Sequence, residues 1–377
     1  MGRVRALAAS VVASVVVSAL APVAFLAVAA GPAAAYPLPR AWILVDAGTG
    51  DVLAASNDHV PMPPASLVKL LTAVVAVEDL PPDAQVPVDA TAAAEPPSAI
   101  GMRAGQVWGL SDALHCLLMA SANDVAVALA ERVGGSVAGF ANEMQRWARV
   151  LGLRDDPVLD DPSGLDGAGH FGQGDLVSAY DLAIVARAVL AIPELAQIVA
   201  EKAYDFVDPS GTPRHLVNHN QLLFNPLFGA VGLKTGFTDK AGITYAGAAR
   251  RAGRTLVVIQ LGAYDHYVTA AQQLDWGFAV PPGAESAADQ LPAVHLAPLP
   301  PHLSLGAPPA PAAREGLAEG PAPGSPGRAG DIAGVAAAGL LGGSALAVWS
   351  WPRRRRGTHA RRRGRRPRRG RPGAPLP

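Results

Sequence analysis

Cysteine occurs once in this 377-residue chain, at Cys116, and lysine only four times against 27 arginines. A lone thiol excludes any intramolecular disulfide. It falls in the mostly apolar run 113–120, which predicts a buried structural role. No cluster of His, Cys and carboxylates has metal-ligand spacing, so neither a metal nor a cofactor is expected. No internal repeat is visible. Excess positive charge is also missing from the body of the chain. All 31 acidic residues lie within 36–352, together with 17 of the 31 basic ones, so that portion carries 17 − 31 = −14. A nucleic-acid partner for it is thereby disfavoured.

The basic residues that balance this charge sit at the ends. Arg3 and Arg5 precede the uncharged apolar run 6–30, and Ala33-Ala34-Ala35 then offers small residues before Tyr36. This pattern predicts a signal peptide over 1–35 and an exported body; an uncleaved anchor is the alternative. Residues 332–351 form a 20-residue stretch without a charged side chain, with Trp349 and Trp351 at its end. Twelve arginines and no acidic residue follow through Arg371. A membrane-spanning helix over 331–352 and a cytoplasmic Arg-rich tail over 353–377 are expected. The resulting expectation is a single-pass cell-membrane protein with its folded part outside the cytoplasm.

Between these ends the composition changes once more. Residues 281–330 are rich in Pro, Ala and Gly and read as a semi-rigid, disordered stalk. That leaves 36–280 as one globular unit. Strands are expected at 42–45 and 52–55, flanking the turn Asp46-Ala47-Gly48-Thr49-Gly50. Helices are expected from Ser66 to Val77, over 111–119 with Ser111 as its cap, over 123–133 ending at Gly134-Gly135, and over 137–151, 178–190 and 268–276. Three strands, 230–235, 244–249 and 255–261, come near the end, the last two joined through Gly253. The fold class predicted is mixed α/β: an antiparallel sheet flanked by helices, with an inserted helical region.

Scarce lysine is informative because arginine stays charged in proteins, whereas a desolvated lysine can accept a proton near neutral pH. Lys69 follows Ser66 by three residues, on one helical face and within reach of it. A serine cap followed by a surface lysine explains the same spacing. Ser121-Ala122-Asn123 lies at a break between two helices, where a hydroxyl and an amide two apart can face one cavity; Asn123 also suits a helix cap. Lys234-Thr235-Gly236 lies on a predicted strand, offering a cation and a hydroxyl suited to a carboxylate. Gly236 would let a substrate backbone approach. An exposed lysine at a strand end is the alternative.

Together and in this order, the three resemble the serine D-alanyl-D-alanine carboxypeptidases of peptidase family S11, the low-molecular-mass penicillin-binding proteins. The resemblance extends over Val45-Asp46-Ala47-Gly48-Thr49-Gly50, Pro64-Ala65-Ser66, Ser121-Ala122-Asn123-Asp124, Ser163-Gly164-Leu165, Ser178-Ala179-Tyr180-Asp181-Leu182-Ala183 and Gly232-Leu233-Lys234-Thr235-Gly236-Phe237-Thr238. It implies a DD-peptidase/β-lactamase-like fold and an acyl-enzyme mechanism on peptidoglycan stem peptides, with β-lactams as covalent inhibitors. By that resemblance Ser66 is the nucleophile, Lys69 its proton acceptor and Ser121 a proton relay. Asn123 orients substrate and Lys69, Lys234 and Thr235 grip the terminal carboxylate, and the backbone N–H groups of Ser66 and Phe237 form the oxyanion hole. Val68 and Ala122 stand where the family often has threonine and glycine, neither removing a catalytic atom. His219 and His170 receive no catalytic role, and the extra β-domain of many relatives is absent. Endopeptidase action on cross-linked peptides uses the same motifs, and a class A-like β-lactamase would need a deacylating glutamate that the sequence does not place. An inactive, membrane-tethered cell-wall or β-lactam-binding protein is the non-enzymatic alternative.

Overall fold

The run Ala41–Asp46 (β1) carries apolar side chains at successive positions rather than alternating ones, the mark of a strand covered on both faces. The structure, a computed structural model, describes residues 37–167, 171–283 and 290–296. In it, β1 pairs with Val52–Ser56 (β2), and the chain continues through a 3-10 turn, Ala65–Val68, directly into the helix Lys69–Asp79 (α1). Next come Gln85–Pro87 (β3), Ala90–Ala93 (α2), Val107–Gly109 (β4), Leu110–Met119 (α3), Asn123–Gly134 (α4) and Val137–Leu151 (α5). After a long connection follow Ala179–Ala191 (α6), Pro193–Ala200 (α7) and the hairpin Ala203–Val207 (β5) and Pro213–Val217 (β6). Two 3-10 turns lead to Ala230–Thr238 (β7), Gly242–Arg251 (β8), Arg254–Ala263 (β9) and the closing helix His266–Ala279 (α8).

The sheet has five strands in the order β2-β1-β9-β8-β7, each adjacent pair antiparallel. Both of its faces are dry. Ile43, Val45, Val257, Ile259 and Leu261 join the core formed with the helices α1 and α3 to α7. Leu44, Leu256 and Val258 point the other way, against Ala270 and Leu274 of α8. The mixed α/β sheet-and-helix architecture expected from the sequence is therefore the one observed. Cys116 is buried, and burial pushes its thiol up, away from reactivity.

Several local expectations needed correction. The helix expected at Ser66 starts as a 3-10 turn, and α1 proper begins at Lys69. α3 starts at Leu110 behind Gly109, so Ser111 lies inside its first turn and caps nothing. Ala122, not Asn123, occupies the cap position of α4. α4 does end as expected, with Gly135 in the left-handed conformation at φ 69°. The hairpin β5–β6 was not anticipated, although its alternating burial and the turn at Asp208, whose carboxylate accepts from the amides of Ser210 (2.9 Å) and Thr212 (3.0 Å), are legible in retrospect.

The stalk expected from residue 281 also needs a correction at its start. Residues 290–296 run along the domain. Leu291 is buried, and its amide donates to the Gly50 carbonyl at 2.9 Å. Arg187 donates to the carbonyls of Ala47 (2.9 Å) and Pro292 (2.7 Å), and Tyr180 to that of Gln290 at 3.1 Å. Composition averages over a window, so one docked leucine and its backbone bonds leave no trace in it. Leu291→Ala is expected to lower the unfolding free energy by about 2 kcal/mol, the low end for a buried leucine because a segment end can relax. Urea unfolding checks this; an unchanged midpoint would mean that residues 290–296 contribute nothing to stability.

The expected signal peptide, transmembrane segment and basic tail lie outside the described residues. Among the described residues no single helix is long and apolar enough to cross a membrane. α6 and α7 reach that length and composition only together, bent by 101°, and most of their side chains are buried in the core.

Candidate active site

Segments from across the chain converge on one cavity of about 530 Å³. The 3-10 turn contributes Ser66, the α3–α4 junction Ser121 and Asn123, and β7 Thr235, Gly236 and Phe237. The loop between α2 and β4 adds Pro97 and Ser98. Lys69 and Lys234 are 0% and 1% exposed and do not line the cavity. The residues singled out in the sequence are thus brought together as six that face the cavity and two lysines buried behind it.

The Ser66 turn is tied to the sheet at Pro64, whose carbonyl accepts from Thr244 Oγ1 at 2.9 Å. Ala65, just before the serine, has φ 50°, and Ser121 has φ 61°. Non-glycine residues in that region are strained, a cost that surrounding structure must hold in place. Gly236 explains part of the close fit. A Cβ there would press on Thr244 Oγ1 and lie 3.0 Å from the Ser66 amide nitrogen. The missing side chain makes room for the nucleophile's own turn, a different reason from the substrate approach expected from sequence.

Lys69 opens α1 with its Nζ 3.0 Å from Ser66 Oγ, 2.8 Å from Asn123 Oδ1 and 2.7 Å from the Ser163 carbonyl. The Asn123 amide is oriented by its other end, where Nδ2 donates to the Pro96 carbonyl at 2.8 Å. Asn123 Oδ1 and Ser163 O can only accept. A neutral amine has two N–H bonds and one lone pair, so once those acceptors are satisfied the lone pair faces Ser66. Burial lowers Lys69 to about 7, opposed by Asp161 first and then by Asp175, Asp124 and Glu95. The group is therefore able to exchange a proton near neutrality.

The cavity wall opposite β7 is clamped by α4. Asp124 accepts from the amides of Ile100 (3.3 Å), Gly101 (2.9 Å) and Met102 (2.9 Å), and the Asn123 amide donates to Ser98 O at 2.7 Å. Glu95 precedes this wall and is pushed up to about 7, chiefly by burial and then by Asp161 and Asp124.

Lys234 donates to the Thr235 carbonyl at 2.7 Å. Burial, and after it the charge of Lys69, pushes its ammonium well below the ordinary lysine value. An arriving carboxylate would favour the charged form again. Phe237 is 63% exposed at the cavity rim, and β7 is an edge strand, so alternate backbone N–H groups on it lack a sheet partner.

His219, given no catalytic role from the sequence, also lines the cavity, as do His266 and Tyr267, which sequence reasoning missed. Asn218 and Asn220 hold His219 from either side: Asn218 Oδ1 accepts from the Asn220 amide at 2.9 Å, and Asn220 Oδ1 from Tyr245 Oη at 3.0 Å. Tyr267 Oη donates to the His219 carbonyl at 2.9 Å. The Asn-x-Asn spacing was the available signal. His219 is pushed down by burial and then by Lys234. His170 lies outside the described residues. Among those described, no group of three His, Cys, Asp or Glu side chains is placed to hold a metal.

The family model of the D-alanyl-D-alanine carboxypeptidases, peptidase S11, matches residues 33–265. The D-alanyl-D-alanine carboxypeptidase DacB2 of Mycobacterium tuberculosis is 36% identical over 263 residues, covering 67% of this chain and 88% of that protein. DacD of Escherichia coli is 33% identical over 234 residues, covering 59% of this chain but only 58% of DacD. The crystal structure of a D-alanyl-D-alanine carboxypeptidase from Mycobacterium tuberculosis H37Rv superposes with a TM-score of 0.61 at 34% identity, covering 68% of this chain and 98% of that one.

Proposed function

Because the chain belongs to the peptidase S11 family of D-alanyl-D-alanine carboxypeptidases, we propose that it removes the terminal D-alanine from peptidoglycan stem pentapeptides through an acyl-enzyme on Ser66. The observation that carries this reading is the Lys69 amine, held 3.0 Å from Ser66 Oγ by two partners that can only accept.

In the first step Ser66 Oγ bonds to the carbonyl carbon between the two D-alanines while its proton passes to Lys69. The oxyanion is held by the backbone N–H groups of Ser66 and Phe237. The C–N bond then breaks, and the departing amine takes a proton through Ser121. Asn123 holds the substrate amide. Lys234 and Thr235 hold the terminal carboxylate, whose charge favours the ammonium form of Lys234 that burial opposes. Water cleaves the ester, giving the shortened peptide and free Ser66. A β-lactam enters the same first step and leaves Ser66 acylated. The apolar runs at the two ends support export and a single C-terminal membrane anchor, with the acidic catalytic part outside the cytoplasm.

Two measurements test the reading. The full chain should be labelled covalently by a fluorescent penicillin. It should also release free D-alanine from a pentapeptide faster than it cleaves a cross-linked dimer. Absence of both label and D-alanine release would reject the assignment. Faster cleavage of the dimer would instead make the protein an endopeptidase using the same residues.

A further inference from the structure

We propose that Asp161 and Asp175, two buried carboxylates in the connection between α5 and α6, aim the carbonyl that orients Lys69 and, through Asp161, raise the pH at which Lys69 becomes a base. This rests on the reading of Lys69 as the proton acceptor.

The two side chains are 0% and 4% exposed, and hydrogen bonds link them to Lys69 in sequence. Asp175 Oδ1 accepts from the amides of Asp160 (2.8 Å) and Asp161 (3.0 Å). Asp161 Oδ1 in turn accepts from the Ser163 amide (2.7 Å), the Ser163 hydroxyl (2.6 Å) and the Gly164 amide (3.1 Å). That cage fixes the Ser163 carbonyl, which accepts from Lys69 Nζ at 2.7 Å. Thr72, one turn along α1 from Lys69, donates to the Pro162 carbonyl at 2.7 Å and ties the loop to the same helix. Asp161 and Asp175 are therefore positioning residues: they aim the carbonyl that aims the lysine.

The same loop also acts on Lys69 through space. Asp175 Oδ2 has no hydrogen-bond partner among the described residues, a costly place for charge. Burial pushes Asp175 up to about 8, with the neighbouring Asp161 adding to the effect and the backbone donors opposing it. Asp175 is therefore mostly neutral at pH 7, and the loop bears on Lys69 chiefly through Asp161. A negative group behind a desolvated amine raises the amine's pKa, and Asp161 is the largest such influence on Lys69. The other charged groups around Lys69 are Asp124 from α4, Glu95 from the loop after α2, and Lys234 from β7. Asp124 is committed to three loop amides. Glu95 titrates in the same range as Lys69 and needs its own control.

The test is the pH profile of penicillin acylation by the full chain. Wild type should show a limb rising with pH near 7. Asp161→Asn keeps the acceptor oxygen but removes the charge, so the limb should move to lower pH by about one unit. Asp175→Asn, close to a neutral-for-neutral exchange below pH 8, should move the limb less than Asp161→Asn does. The Asp161→Asn shift should persist in a Glu95→Gln background. An Asp161→Asn limb that stays put, with the rate lowered evenly at all pH values, would overturn the proposal, as would a shift that vanishes with Glu95. If Asp161→Asn does not fold, 13C spectra of aspartate carboxyls in wild type decide. One carboxyl, that of Asp175, should titrate near 8, and full ionisation of every aspartate by pH 6 would refute the arrangement. Failure of wild type to acylate at any pH would reject the enzymatic reading instead. The aspartate spectra, with 13Cε signals of the four lysines, would still judge the pair.

Discussion

Ser66→Ala is expected to abolish acylation, with turnover falling by about six orders of magnitude, as for other serine peptidases that lose their nucleophile. The change removes one oxygen at the mouth of the cavity. Its recorded hydrogen bond is to Lys69, which keeps Asn123 and Ser163 as partners. The fold should therefore survive with a stability change of about 1 kcal/mol or less. Fluorescent-penicillin labelling and D-alanine release should both vanish, while non-covalent binding of a pentapeptide persists through Thr235 and Lys234. Label surviving in this variant would place the nucleophile elsewhere.

Lys69→Arg should lower the acylation rate by roughly 10³-fold, within the usual range for loss of a general base. Arginine retains the positive charge and can still reach acceptors, but it does not give up its proton in a protein. The variant thus separates a base from a mere cation. In wild type the neutral fraction of Lys69 grows as pH rises through about 7, so acylation should rise through the same value and fall below it. The arginine variant should show a low rate with no such rise. Retention of wild-type activity within about tenfold would mean that Lys69 acts by its charge, and the proton-transfer step would fall. Acylation rates between pH 5 and pH 9, measured for both proteins, check the magnitude and the sign together.

Legibility in the sequence varied with how local each cause was. α5 was readable to its bounds because Ser136 caps its start and Gly152 turns left-handed at its end. The strands β8 and β9 were visible through their apolar runs and the tight turn at Ala252 and Gly253. Ser66 and Lys69 could be paired because three residues along a helix or 3-10 turn bring side chains together. What could not be read depends on contacts made across the chain. β3 and β4 are three residues each, too short to display a period. The burial of Lys234 depends on both faces of β7 being covered, which strand alternation does not reveal. His219, His266 and Tyr267 reach the cavity from two separate segments, held by tyrosine and asparagine bonds between them. The role of Asp161 was invisible for the same reason, since it acts through Ser163 on a helix some 90 residues earlier in the chain.

Lys69 and Lys234 are closed off from solvent in the folded chain. Lys202 and Lys240, the other two lysines, are exposed. An amine-reactive reagent applied to the folded protein should modify these two and the terminal amine, and leave the active-site pair untouched. Modification of either buried lysine requires the wall around it to open, so its rate measures the free energy and frequency of that opening. Mass-spectrometric pulse labelling can thus follow breathing of the catalytic centre in the native chain, without a probe being introduced.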